Sequence, residues 1–133
     1  MELVGSFAFT ISDINLNFEE IEKNIGIIPT TTINKGQVIV ATEKAPFDIW
    51  SYEIEFSNGN DTINKLCCLL NKLMPYSNYI NEMSRCYRQV VINCFLRSDM
   101  GQIGLEISSE VVSKLNNLGI GINFHILSYG YVE

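Results

Sequence analysis

A single histidine, His125, lies in G-I-N-F-H-I-L-S-Y, and four cysteines, Cys67, Cys68, Cys86 and Cys94, join it as candidates for chemistry in this 133-residue chain. An imidazole acts as a general acid or base only beside a suitable partner, within hydrogen-bond reach and sheltered from water. Its candidate partners are Glu53, Glu55 and Glu106, which share an outward strand phase with it. A cysteine nucleophile would need this same histidine next to it. Thiol ligands for zinc usually come as paired Cys-x-x-Cys units or alongside several histidines, and the chain shows neither pattern. The expectation is no metal, no cofactor and no catalysis, with His125 as part of a solvated polar sheet face.

The stretch I-G-I-I-P-T-T-T-I-N-K-G-Q, residues 25–37, has the glycines, threonines and Lys35-Gly36 pair of a phosphate loop. Such a loop runs from a strand through glycines into a helix N-terminus, whose free N–H groups hold the anion. Here the order is reversed, because a helical pattern precedes Gly26 and none follows Gly36. Gly26 reads as a helix stop, and Pro29 keeps the chain extended after it. Lys35 is not expected to hold a nucleotide.

The elements that must position these residues follow from periodicity. Phe7, Phe9 and Ile11 alternate with Ala8 and Thr10 as in a strand with one buried face. Asn17, with Glu20 three residues on, caps a short helix carrying Phe18, Ile21 and Ile25. Residues 30–47 read as irregular or partly extended. Trp50, Tyr52, Ile54 and Phe56 alternate with Ser51, Glu53 and Glu55 in an amphipathic strand. Asp61 is placed to cap a helix bearing Ile63, Leu66, Leu70 and Leu73, which Pro75 either ends or renews. Tyr76, Tyr79, Ile80, Met83 and Cys86 continue an apolar stripe at helical spacing.

Gln89–Arg97 reads as a central strand, with Ile103, Leu105 and Ile107 as its hairpin partner. Ser108 or Ser109 caps a helix with Val111, Leu115 and Leu118, closed by Gly119, and Ile120–Ile126 forms the last strand. The order strand, helix, strand, helix, strand, strand, helix, strand predicts a single α+β domain over residues 1–133. A largely antiparallel sheet with helices packed on one face follows, ferredoxin-like in character.

Composition narrows the partners. A net charge of −6 at pH 7 disfavours nucleic acid, whose phosphates need a basic footprint, and suits a basic protein partner. No apolar run approaches the roughly 18 residues needed to span a membrane. The opening M-E-L-V-G-S lacks the features of an export signal, so the chain is expected in the cytoplasm with its thiols reduced.

Several short motifs resemble a known family. Phe9-Thr10-Ile11-Ser12 with Leu16 and Glu20-Ile21 is similar to its F-x-I-S…L…E-I opening. Ile25-Gly26-Ile27 before Pro29-Thr30 resembles its L-G-I-x-P-T segment, Lys35-Gly36 resembles the K-G after it, and Trp50-Ser51-Tyr52 and Leu118-Gly119 match further points. Over nearly its whole length the chain resembles the bacterial family called domain of unknown function 4279. Ile25 stands where that family commonly has Leu, and residues 38–48, whose one basic residue is Lys44, lack the further basic residues expected there, which argues against a family-wide anion site.

The resemblance implies a small α+β protein. Because some relatives look like immunity proteins encoded beside toxins, it also implies a protein that neutralises a toxin. It transfers no catalytic residue. The expected function is a non-enzymatic protein-binding module that recognises a basic toxin domain. Its outward sheet face would supply Glu53, Glu55 and Glu106 for charge, Phe95 and Tyr129 for contact, and Arg97 and His125 besides. Other readings stay open. They are a small-molecule or regulatory module with a pocket between helices and sheet, an enzyme centred on His125, a homodimer covering the face, and an interface on the Tyr76–Tyr87 stripe.

Overall fold

The computed structural model describes residues 3–57, 61–100 and 103–131 and is organised around one central strand, β1 (Leu3–Asp13). Along the chain follow α1 (Phe18–Ile25), β2 (Thr31–Ile33), the short strands β3 (Val38–Val40) and β4 (Glu43–Lys44), and β5 (Asp48–Phe56). Then come α2 (Thr62–Leu73), a 3-10 turn (Met74–Tyr76), α3 (Ser77–Cys86), β6 (Gln89–Met100), α4 (Ser109–Leu118) and β7 (Gly121–Tyr131). The main sheet runs β2-β5-β1-β6-β7, and β3 and β4 form a separate two-stranded ribbon. Every pairing in the main sheet is antiparallel except β6 with β7. The fold is α+β, with the helices on one face of a mostly antiparallel sheet, as the periodicity predicts.

Local chemistry sets the helix ends. Asn17 accepts a hydrogen bond from the Glu20 backbone N–H at 3.1 Å, and Gly26 closes α1 in the left-handed region with φ 72°. Ser108, rather than Ser109, caps α4 by accepting from Val111 N–H, and Gly119 ends it at φ 72°. Asp61 makes no side-chain capping bond to α2 and instead lies 4.0 Å from Lys65. Pro75 sits inside the 3-10 turn that joins α2 to α3, where its missing N–H breaks no α-helical ladder. Asn81 of α3 donates to the Asn117 carbonyl near the end of α4 at 2.6 Å, tying the two helices together.

Ile103, Leu105 and Ile107 do not form the expected hairpin strand. They lie in coil and pack part-buried against the core. The place beside β6 is taken by β7, which α4 carries over the sheet so that it returns parallel to β6. A two-residue alternation therefore appears in a segment whose ladder position is already filled.

Register divides the sheet into two faces. One cross-strand row reads Ile54–Phe7–Cys94–Phe124 and the next reads Tyr52–Phe9–Ile92–Ile122. On β5, β1 and β6 this face meets the helices, with Phe7, Phe9, Ile11 and Trp50 fully buried beside Leu66, Leu70, Leu73 and Ile80. Phe9 meets the Trp50 indole edge to face at 6.0 Å. Gly5 occupies the row between Phe56 and Leu96, and a Cβ there would collide with the Phe95 carbonyl. Gly5→Ala should therefore lower stability by about 2 kcal/mol, because backbone rather than a flexible side chain must move. Denaturant unfolding checks this, with Gly104→Ala as a control whose added Cβ meets nothing within 4 Å.

Candidate functional site

The outward face of β1 is built from small side chains, Ser6, Ala8, Thr10 and Ser12. Alternation forces this set to the side opposite Phe7, Phe9 and Ile11. Larger residues stand on both neighbouring strands, so the small ones form the floor of a trough. A concavity of about 870 Å³ lies at the Val4–Ser6 end of this face, with Glu53 and Glu55 of β5 on one wall and Phe95 and Arg97 of β6 on the other.

The register places Glu55, Ser6, Phe95 and His125 in a single row across four strands. Ser6 Oγ donates to Glu53 Oε2 at 2.9 Å, and the Glu53 backbone N–H donates to Thr30 Oγ1 at 2.9 Å. Glu53 is thus held at half-burial while Glu55 is exposed. On the opposite wall the Phe95 and His125 rings stack, with centroids 4.8 Å apart and planes at 19°. His125 Nε2 lies 3.1 Å from Asn93 Oδ1, within hydrogen-bond distance.

This geometry separates His125 from Glu53 and Glu55, its expected acid–base partners. Three strand spacings lie between His125 on β7 and the glutamates on β5, roughly 14 Å. No acid–base pair forms at that distance. Glu106 is not on the sheet at all, since it lies exposed in the coil between β6 and α4. Tyr129 falls within β7, and its side chain lies outside the described set. Glu53, Glu55, Phe95, Arg97 and His125 do share the outward face, as their strand phase predicts.

The other candidate groups are dispersed. The four cysteines are all free: Cys94 is buried, Cys67 half-buried, and Cys68 and Cys86 exposed. Among the described residues no cluster of three His, Cys, Asp or Glu side chains could hold a metal ion. Arg88 stacks 3.9 Å over Phe47 and donates to Ser12 Oγ. Tyr76, Tyr79 and Tyr87 are half-buried against the core, and desolvation raises the Tyr87 hydroxyl above its ordinary pKa of 10.0. Trp50 is fully buried, so it lines no open pocket between helices and sheet.

Lys35 begins no helix. Its backbone N–H donates to Asp48 Oδ1 at 2.7 Å, while Leu16 N–H donates to Asp48 Oδ2 at 3.0 Å. One carboxylate thus pins both the loop after β1 and the turn before β3. Beyond that turn the β3–β4 ribbon exposes Val38, Ile39 and Val40, a second apolar surface that alternation did not single out. The clue available in the sequence is an unbroken apolar triplet, Val38-Ile39-Val40, with no polar partner phase.

Fold and trough together define a small α+β protein with an open sheet face of carboxylates and aromatic rings. The family model described as Domain of unknown function (DUF4279) matches residues 3–129, and the chain belongs to that family. No match is found among curated proteins or among solved structures. Among the described residues no helix is long and apolar enough to cross a membrane.

Two measurements test these local assignments. Burial pushes the Cys94 thiol up to about 12, so a thiol reagent at neutral pH should modify Cys68 and Cys86 rapidly and Cys94 only on unfolding. Thiol titration in denaturant should find four groups. For Asp48, the two backbone donors hold the carboxyl below its ordinary 3.8, the Lys35 N–H contributing most. The folded state then binds fewer protons than the unfolded state, so the contribution is complete above pH 3.8 and falls away as pH drops through the folded value. Asp48→Asn should cost about 1 kcal/mol at pH 7, a modest figure because solvent screens the site. That difference should shrink as unfolding is measured at progressively lower pH.

Proposed function

We propose that this protein is a non-enzymatic binding module whose outward sheet face recognises a basic protein, and that the partner is a toxin domain which it neutralises. The observation that carries this reading is the trough itself. It places the Glu53 and Glu55 carboxylates across an open concavity from Phe95, which is 40% exposed, with Ser6 between them. Carboxylates beside an aromatic wall suit a Lys or Arg side chain, whose aliphatic stem packs on the ring while its charge meets the acid. The net charge of −6 supports a basic partner, because opposite charge speeds encounter. Family membership supports the toxin-neutralising role only through the resemblance of some relatives to immunity proteins. Cytoplasmic residence belongs to the same proposal.

Kinetic binding to the purified product of the neighbouring gene tests the proposal, together with growth rescue on co-expression. Glu55→Lys combined with Glu53→Lys should slow association, and more strongly at low ionic strength. Phe95→Ala should instead speed dissociation, costing about 2 kcal/mol, or roughly thirtyfold in Kd. A folded double charge-reversal variant that binds at the parental rate and still protects cells would show that the trough is not the interface.

A further inference from the structure

β7 forms one margin of the main sheet, and among the described residues no strand pairs with its outer side. Sheet edges present unpaired N–H and C=O groups, which proteins usually blunt with charge, proline, a bulge or brevity. The opposite margin, β2, is blunted by length, at three residues. β7 uses none of the first three devices over its regular part. It is eleven residues long, carries no charged residue and no proline, and runs in unbroken register with β6 from Gly121 to Ser128. Apolar side chains lie open on both of its faces, with Phe124 43% and Ile126 60% exposed on the helix side and Leu127 51% exposed on the other.

We infer that β7 pairs antiparallel with β7 of a second copy of this chain, joining two sheets into one. An open edge accepts an extended strand, and three arguments favour a second copy. First, each chain carries a charge of −6, and β7 is a segment on which two such chains meet without placing like charges in contact. A basic partner of the kind the trough suits gains no carboxylate there.

Second, the pairing is self-complementary. Residues directly opposite in an antiparallel pair share a face, so a two-fold axis through His125 preserves both faces of the sheet. It sets Phe124 of each copy against Ile126 of the other on the helix side, and Asn123 against Leu127 on the outward side.

Third, the area suffices. At roughly 150–200 Å² for a side chain of this size, the exposed fractions of Phe124, Ile126 and Leu127 amount to about 500 Å² over two copies. That is half of the ~1,000 Å² a specific interface requires, and the paired backbones with their flanking side chains supply the rest. The two troughs would then lie on one continuous surface.

Sedimentation equilibrium of the full chain tests this inference. The expected result is a species of twice 15.0 kDa. Ile126→Lys should weaken dimerisation by about 100-fold, because an ammonium would sit in an apolar seam, and should leave circular dichroism unchanged. Val40→Lys, on the exposed β3–β4 ribbon, should leave the dimer intact. A parental chain that is monomeric at high micromolar concentration overturns the inference. So does an Ile126→Lys variant that stays dimeric, or a Val40→Lys variant that dissociates. Should Ile126→Lys fail to fold, hydrogen exchange on the parental chain decides the matter. β7 amides should exchange more slowly as concentration rises, and exchange independent of concentration overturns the inference.

Discussion

The split of β1 between large and small side chains is the constraint from which both faces of the molecule follow. Phe7, Phe9 and Ile11 on one side are fully buried, and each such side chain contributes about 1.5–3 kcal/mol on leaving water. That face therefore has to be roofed by helices. Ser6, Ala8, Thr10 and Ser12 on the other side need no roof, and their short side chains let the walls supplied by β5 and β6 rise above the strand. The core and the trough are thus two consequences of one alternating pattern on a central strand.

The roof is shorter than the sheet it covers. α2 packs over β5 and β1, α3 over β6, and α4 over β7. A ten-residue helix such as α4 spans about 15 Å, whereas the eleven residues of β7 span about 36 Å. α4 accordingly shields the start of β7, where Ile120 is buried and Ile122 half-buried, and leaves Phe124 and Ile126 open. The inward phase of those residues suits a covered face, and the length of the helix decides that they are not covered. Asn81 ties α3 to the end of α4 nearest the start of β7 through the Asn117 carbonyl.

Charge is arranged in two different ways. Asp48 serves the fold, because its two oxygens take up backbone N–H groups from separate loops and leave little for a ligand. Glu53 and Glu55 stand at the trough, one steadied by Ser6 and Thr30 and the other free to reach solvent. A carboxylate already saturated by backbone donors and one aimed at open space have different uses, although both belong to the same strand.

The sequence by itself determined the pieces and their phases. Alternation around Phe9 and Tyr52, the helical stripe through Leu66, Leu70 and Leu73, and the caps at Asn17, Gly26 and Gly119 are short-range properties, legible because each depends on neighbours within a few residues. The same phase correctly put Glu53, Phe95 and His125 on one face. Only the tertiary structure decided which strand lies beside which, and so which of those residues meet. Pairing β7 parallel to β6 through α4 stacked His125 on Phe95 and left it three strands from the glutamates. It also left Ile103, Leu105 and Ile107 without a ladder position, and with them Glu106 without a place on the face. Strand order is a long-range choice set by how helices close over a shared core, and a two-residue period carries no record of it.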